Sequence, residues 1–195
     1  KSTAVEGSVI GLPLGEKMYF KDLLYVMLLP SANDAAVVIA QNYPGGEAAF
    51  IEKMNENATK WHLRNTHFAD SSGLDDADYT TVLDLARLSS IAMKNETVAR
   101  IVGTQYKTVT DATKTRTYVL NNLNKLLSLP HIKGIKTGYT EEAGGVLTTA
   151  VTIGKPEDNH QVITVVMKSK DRFADTESLL AYIDKRIFYT DVTRE

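Results

Sequence analysis

Apolar residues follow two different rhythms along this chain, and the change between them divides it. Over roughly the first hundred positions they recur at helical spacing; in the last third they crowd into β-branched runs separated by polar turns. Residues 22–29 are strongly apolar and meet Pro30, whose ring disfavours helical geometry in the residue before it, so a helix is expected to stop there. Ser31 then offers an N-cap for a second helix over residues 32–41, apolar nearly all round and therefore expected to be buried. Residues 47–60 are amphipathic, with Ala49, Phe50, Met54 and Trp61 at helical spacing. Thr81-Val82-Leu83-Asp84 reads as the capped start of a helix through Met93, and residues 95–101 as a short helix ended at Gly103. The intervening stretch Asp70-Ser71-Ser72-Gly73-Leu74-Asp75-Asp76 is turn-rich, and its carboxylates suit Asx turns and caps better than a metal site.

Beyond residue 130 the period changes. Gly134-Ile135-Lys136-Thr137 leads into a strand over residues 145–153, a polar turn over 154–159, and a β-branched strand over 161–167. This predicts an antiparallel sheet with Lys136-Thr137-Gly138 on or beside one edge, closed over by a final helix at 174–188. The expected fold class is α/β of the α+β type: an antiparallel sheet flanked by helices, with an all-helical lobe over about residues 20–103 inside a single, incomplete domain spanning 1–195.

Composition narrows the picture only a little. The chain is 43% hydrophobic over 195 residues, enough for a sizeable core. A net charge of -2 argues against a nucleic-acid groove, and Lys168, Lys170 and Arg172 read as a solvated strand end. The absence of cysteine excludes disulfides and a thiol nucleophile. No apolar run is long enough to span a bilayer, and no signal-peptide pattern is present. His62, His67, His131 and His160 lack metal-ligand spacing, and Gly144-Gly145 reads as a turn before a strand rather than a phosphate cradle.

The chemistry lies in two triplets about a hundred residues apart, Ser31-Ala32-Asn33 and Lys136-Thr137-Gly138. Alone, a Ser-x-Asn is about as likely as not by chance, and a Lys-Thr-Gly has a chance frequency on the order of a few per cent. Order, spacing and flanks give them weight. Ser31 follows Leu28-Leu29-Pro30, and Lys136 lies in Ile132-Lys133-Gly134-Ile135-Lys136-Thr137-Gly138-Tyr139. These stretches resemble the D-alanyl-D-alanine carboxypeptidases, the low-molecular-mass penicillin-binding proteins. So do Gly11-Leu12-Pro13-Leu14-Gly15-Glu16, Asn65-Thr66-His67-Phe68, Ser72-Gly73-Leu74-Asp75-Asp76, Asn122-Leu123-Asn124 and Arg172-Phe173-Ala174-Asp175, so that the likeness covers nearly the whole chain.

The resemblance implies a β-lactamase/transpeptidase-like fold and a serine peptidase that trims the terminal D-alanine of peptidoglycan stem peptides through an acyl-enzyme. It also implies blockage by β-lactams, no metal or cofactor, and work on the outer face of the bacterial cytoplasmic membrane. In that scheme Ser31 relays a proton to the leaving amine and Asn33 donates its amide to the substrate carbonyl. Lys136 supplies positive charge, Thr137 bonds the substrate carboxylate, Gly138 leaves room for substrate beside the strand, and the Tyr139 N–H is an oxyanion donor. The family's nucleophile sits in a Ser-x-x-Lys, and no serine here has a lysine three positions on.

The expectation is therefore a fragment, inactive alone, with its N-terminal part and any membrane anchor outside the 195 residues. Such a fragment would be expected to need a complementing N-terminal piece or self-association to cover its apolar surface. A pseudoenzyme that binds cell-wall peptide without cutting it is the alternative. A serine β-lactamase is the weaker rival, since Glu96 does not stand in a loop suited to a deacylating base.

Overall fold

Packing follows from which residues each element can bury. In a computed structural model, which describes residues 5–155 and 158–186, the described elements are helices α1 (Phe20–Leu28), α2 (Asn33–Gln41), α3 (Gly46–Lys60), α4 (Val82–Met93) and α5 (Glu96–Val102), strands β1 (Tyr106–Thr110) and β2 (Thr117–Asn121), a 3-10 turn (Lys125–Ser128), strands β3 (Ile132–Thr140), β4 (Gly144–Lys155) and β5 (Asp158–Ser169), and helix α6 (Arg172–Arg186). Among the described residues, strands β3, β4 and β5 form an antiparallel sheet in that order, and β1 pairs with β2 alone. Lys136-Thr137-Gly138 thus lies on an edge strand of the sheet, as its sequence context indicated.

Three apolar clusters hold these pieces. Leu23, Val26 and Leu29 pack with Ala32 and Ala35, with Ile101 of α5, and with Val109 and Leu120 of the β1–β2 hairpin. Beneath the sheet, Leu126, Leu127, Ile132, Leu147 and Val151 meet Phe173 and Leu180 of α6. Val102, Ile135 and Ala150 form a third cluster that ties α5 to the sheet. The start of α2 and the middle of β3 are therefore each braced by a buried neighbour, so side chains at both places have fixed origins.

Several expectations need correction. The hairpin β1–β2 is not evident from the sequence, because each of its strands buries just one residue, Val109 and Leu120, while Tyr106 and Val119 face solvent. Helix α2 is not buried all round: Ala35, Ala36 and Ala40 are, but Val37, Val38 and Ile39 are half-buried. The polar turn expected at 154–159 is narrower, with Lys155 paired to Asp158 and residues 156 and 157 outside the described residues. Helix α6 starts earlier, at Arg172, and positions 187 and 188 of the expected helix fall outside the described residues. Elsewhere the reading holds: Thr81 caps α4 by accepting from the Asp84 N–H, and Asp70 accepts from the amides of Ser72, Gly73 and Leu74 as an Asx turn does; Asn95, read as the first residue of α5, is instead its N-cap.

The stretch before α1 is tied down at a distance. The Tyr118 hydroxyl donates to Glu16 Oε2 at 2.7 Å, and burial, helped by the Glu16 carboxylate, pushes that phenol up to about 12. Arg116 lies 3.8 Å from the same carboxylate. Gly134 is the tightest point under β3: its φ is 136°, and a Cβ there would stand 2.8 Å from Val102 Cγ2. Gly134→Ala is expected to cost about 2–3 kcal/mol, combining left-handed backbone strain with overpacking. A urea midpoint unchanged from wild type would contradict this.

Candidate active site

Ser31 is not the N-cap of α2. Ala32 holds that position in extended geometry without a side-chain cap, and Ser31 is a non-glycine residue in the left-handed region at φ 58°. Other groups serve the first turn instead. The Ser8 carbonyl accepts from the Asn33 N–H at 2.7 Å, and Asp34 Oδ1 accepts from the Ala35 N–H at 3.0 Å. The Ser8 hydroxyl also donates to the Pro30 carbonyl at 3.0 Å, pinning the turn between α1 and α2. Relieved of capping, the Ser31 hydroxyl accepts a hydrogen bond from Lys136 Nζ at 2.7 Å. The two triplets recognised in sequence thus meet through their first residues.

Lys136 projects from the edge strand and is half-buried. Its ammonium also donates to the Thr137 carbonyl at 2.9 Å. Burial, and secondarily the nearby Arg172 guanidinium, pull its pKa down from the usual lysine range to about 8. Arg172 is a residue that sequence reasoning misplaced. Rather than a solvated strand end, it opens α6, donates from Nη1 to the Gly138 carbonyl at 2.6 Å and lies 5.3 Å from the Phe173 ring centre. The segment Arg172-Phe173-Ala174-Asp175 carried the only available signal for it.

The remaining residues of the triplets are placed as follows. Asn33 is 8% exposed, and its Nδ2 donates to the Glu6 carbonyl at 3.0 Å. Thr137 is buried and pairs with Leu147 across the sheet. Gly138 pairs with Val146; its φ is not left-handed, and a Cβ there would lie 3.7 Å from Val146 Cβ, an ordinary contact. The Tyr139 side chain faces solvent, its hydroxyl donating to Glu141 Oε1 at 3.1 Å, a bond that raises its pKa. Because β3 is an edge strand, alternate backbone groups along it point away from β4, free of the sheet ladder.

One further residue escaped the sequence reading. Asp34, 2% exposed, accepts from the N–H groups of Gly11 at 2.9 Å and Leu12 at 3.0 Å, with Ile10 at 3.4 Å. It fastens the incoming chain against the helix that carries Asn33 and follows Ser31. Chemically, the site offers a hydroxyl in contact with an amine able to gain and lose a proton near neutral pH, beside a second cation. That suits proton transfer at a serine oxygen and attraction of a carboxylate.

Known proteins resemble this chain over most of its length. The family model described as D-alanyl-D-alanine carboxypeptidase matches residues 1–171. The D-alanyl-D-alanine carboxypeptidase DacF of Bacillus subtilis is 31% identical over 185 residues, covering 93% of this chain and 46% of the relative. A D-alanyl-D-alanine carboxypeptidase of a Streptomyces species (strain K15) is 40% identical over 155 residues, covering 73% of this chain and 53% of that one. The chain therefore spans about half the length of these curated relatives. Among solved structures, the Streptomyces K15 DD-transpeptidase superposes with a TM-score of 0.83 at 37% identity, over 90% of this chain and 71% of that one.

Proposed function

The chain belongs to the D-alanyl-D-alanine carboxypeptidase family, and on that premise we propose that it forms the larger part of a serine-type enzyme. This enzyme removes the terminal D-alanine of peptidoglycan stem peptides on the outer side of the cytoplasmic membrane. The reaction runs through an acyl-enzyme that β-lactams also form. The observation that carries this reading is the 2.7 Å contact between Lys136 Nζ and Ser31 Oγ. In the reaction, Ser31 passes a proton to the departing amine, and Lys136 sets the proton balance of that hydroxyl while drawing in the substrate carboxylate. Asn33 orients the substrate carbonyl, Thr137 bonds the carboxylate, and the Tyr139 N–H serves as one oxyanion donor at the open edge of β3. The nucleophilic serine, absent from these 195 residues as a Ser-x-x-Lys, is supplied by polypeptide outside them.

Gly138 supports the reading from another side. Neither backbone strain nor packing demands glycine there, so its value lies in space left beside the strand for a substrate. Gly138→Ala is expected to change stability by less than about 1 kcal/mol yet to weaken acylation by benzylpenicillin at least tenfold, about 1.4 kcal/mol of barrier. Thermal melts run beside acylation kinetics check both halves; unaltered kinetics would remove the argument from space.

The overall reading is tested by labelling the full-length protein with a fluorescent penicillin and mapping the modified peptide by mass spectrometry. Label on an upstream Ser-x-x-Lys serine is the expected result. Folded protein that takes no label would favour the second reading, a pseudoenzyme that binds cell-wall peptide without cutting it, for which the absence of Ser-x-x-Lys from this chain speaks.

A further inference from the structure

We propose that Leu14, Tyr19 and Phe20, with Lys17, Lys21 and Lys114 around them, form a surface that docks on an anionic lipid bilayer. This goes beyond the reading above: it assigns no catalytic role and rests on surface chemistry alone. Soluble domains leave single apolar side chains exposed as a matter of course, but a cluster of them signals an interaction site. Leu14 is 72% exposed, Tyr19 67% and Phe20 64%, all within residues 14–20. The backbone explains why they point outward. The Glu16 N–H donates to the Pro13 carbonyl at 3.1 Å, so Leu14 stands at the tip of a turn. The chain then runs without helix to Tyr19, which is extended at φ -65° and ψ 137°. Side chains of an extended segment alternate. Glu16 and Met18 turn inward, to Tyr118 and to the α1 cluster, while Lys17 and Tyr19 turn out. Phe20 and Lys21 continue the exposed face into the first turn of α1.

The tip of the β1–β2 hairpin widens this surface. The Ala112 N–H donates to the Lys17 carbonyl at 2.7 Å, which brings the tip, with exposed Lys114, against this stretch. Negative charge nearby is already engaged. Glu16 holds the Tyr118 hydroxyl and faces Arg116, and Asp111, 4% exposed, accepts from the Thr113 and Arg116 amides. Asp22 is half-buried. Among the described residues, none of the three lysines is in an ion pair. Exposed rings and a leucine beside unpaired lysines match the boundary of a bilayer. There rings and alkyl groups enter the headgroup zone, and ammonium groups meet lipid phosphates. A purely anionic polymer would leave the three apolar groups in water, so lipid is the occupant this surface fits.

The place of the patch suits a working enzyme. Helix α1 spans roughly 13 Å at about 1.5 Å per residue, with the patch at its start and Ser31 beyond its end. The hairpin lies along it, tip at Lys17, and Leu123, just past its base, donates its N–H to the Leu29 carbonyl at 3.1 Å. Docking by the patch therefore leaves the Ser31 end open to substrate.

The test uses the full-length protein with Leu14→Cys, labelled there with the fluorophore NBD; these 195 residues hold no cysteine of their own. Vesicles of phosphatidylglycerol with phosphatidylethanolamine are compared with phosphatidylcholine alone, both carrying a spin-label quencher on the lipid chains. The expected result is quenching at position 14 on the anionic vesicles, weaker on phosphatidylcholine and weaker again in high salt. A label at Leu83→Cys, on α4 and 60% exposed, should stay unquenched. Because quenching reads contact at one position, membrane attachment elsewhere in the polypeptide does not imitate it. Lys17→Gln with Lys21→Gln should weaken the contact about fivefold for each cation removed. All four substituted positions are exposed, and circular dichroism establishes that each variant is folded. No quenching at position 14 on anionic vesicles, equal quenching at 14 and 83, or contact indifferent to salt and to the two lysines would each overturn the proposal. So would a label that responds to soluble polyphosphate and not to vesicles, which would mean an anionic polymer instead.

Discussion

Replacing Lys136 by methionine is expected to slow acylation of the complete enzyme by about 10²–10⁴-fold, the range for loss of a positioned proton carrier, while making the fold more stable at pH 7. The two effects have one origin. In the folded chain Lys136 is displaced to about 8, below its ordinary 10.5, because burial and Arg172 both disfavour the ammonium. The unfolded chain therefore holds more protons than the folded one between those two values, and stability rises with pH across that window. Below it, the charged lysine opposes folding to its full extent. Methionine fills similar space without a charge to desolvate, and the gain at pH 7 should be about 1 kcal/mol once the lost hydrogen bonds to Ser31 and the Thr137 carbonyl are counted. Melting curves at pH 7 and pH 10 should show the advantage narrowing at the higher pH. A variant that melts lower than wild type at pH 7 would mean that those hydrogen bonds outweigh desolvation.

The largest loss of stability is expected at Asp34. Its buried carboxylate is the acceptor for the amides of Gly11 and Leu12, with a longer bond to Ile10, and for the Ala35 N–H of its own helix. Alanine would leave the buried Ala35 amide and the half-buried to exposed amides of residues 10–12 without their acceptor, and hydrogen bonds to a charged acceptor are worth more than neutral ones. Summed with allowance for relaxation, Asp34→Ala should cost about 3–5 kcal/mol. Asparagine retains the shape but turns one acceptor oxygen into a donor facing amides, so about 2–3 kcal/mol is expected for Asp34→Asn. Chemical denaturation of the two variants tests the order as well as the size. A cost under about 1 kcal/mol for the alanine variant would show that residues 10–12 find other partners, and that their attachment does not depend on this side chain.

What the sequence revealed, and what it hid, divides along physical lines. Local rules act within a few residues, and most of them served well: Thr81 caps its helix and β-branched runs mark β4 and β5, while α1 does end at Leu28 although Leu29, before Pro30, keeps helical dihedrals at φ -76° and ψ -66°. The edge position of Lys136-Thr137-Gly138 was legible for the same reason, since the strands that follow it are strongly patterned. Ser31 was misread as a cap because capping preference is a local statistic, whereas Ser8, some twenty residues upstream, supplies the competing bonds. Asp34 was invisible because its partners are main-chain amides, which carry no sequence signature. Arg172 looked like one cation of a surface run until the fold carried it to the carbonyl of Gly138, thirty-four positions back. The hairpin β1–β2 hid behind a single buried side chain per strand.

The left-handed backbone at Ser31 bears on how such a protein drifts over generations. A serine held at φ 58° costs its fold about 1–2 kcal/mol relative to a residue at ease there. Glycine is that residue, and it has no hydroxyl. A single codon change to glycine would therefore firm up the molecule and remove, in the same step, the hydroxyl on which the proposed proton relay depends. Any lineage in which cutting is no longer selected, but a folded cell-wall binder still is, meets a downhill path at this position. Serine persisting at 31 against that slope would be a mark of continued selection on the hydroxyl itself, readable in related sequences before any assay is run.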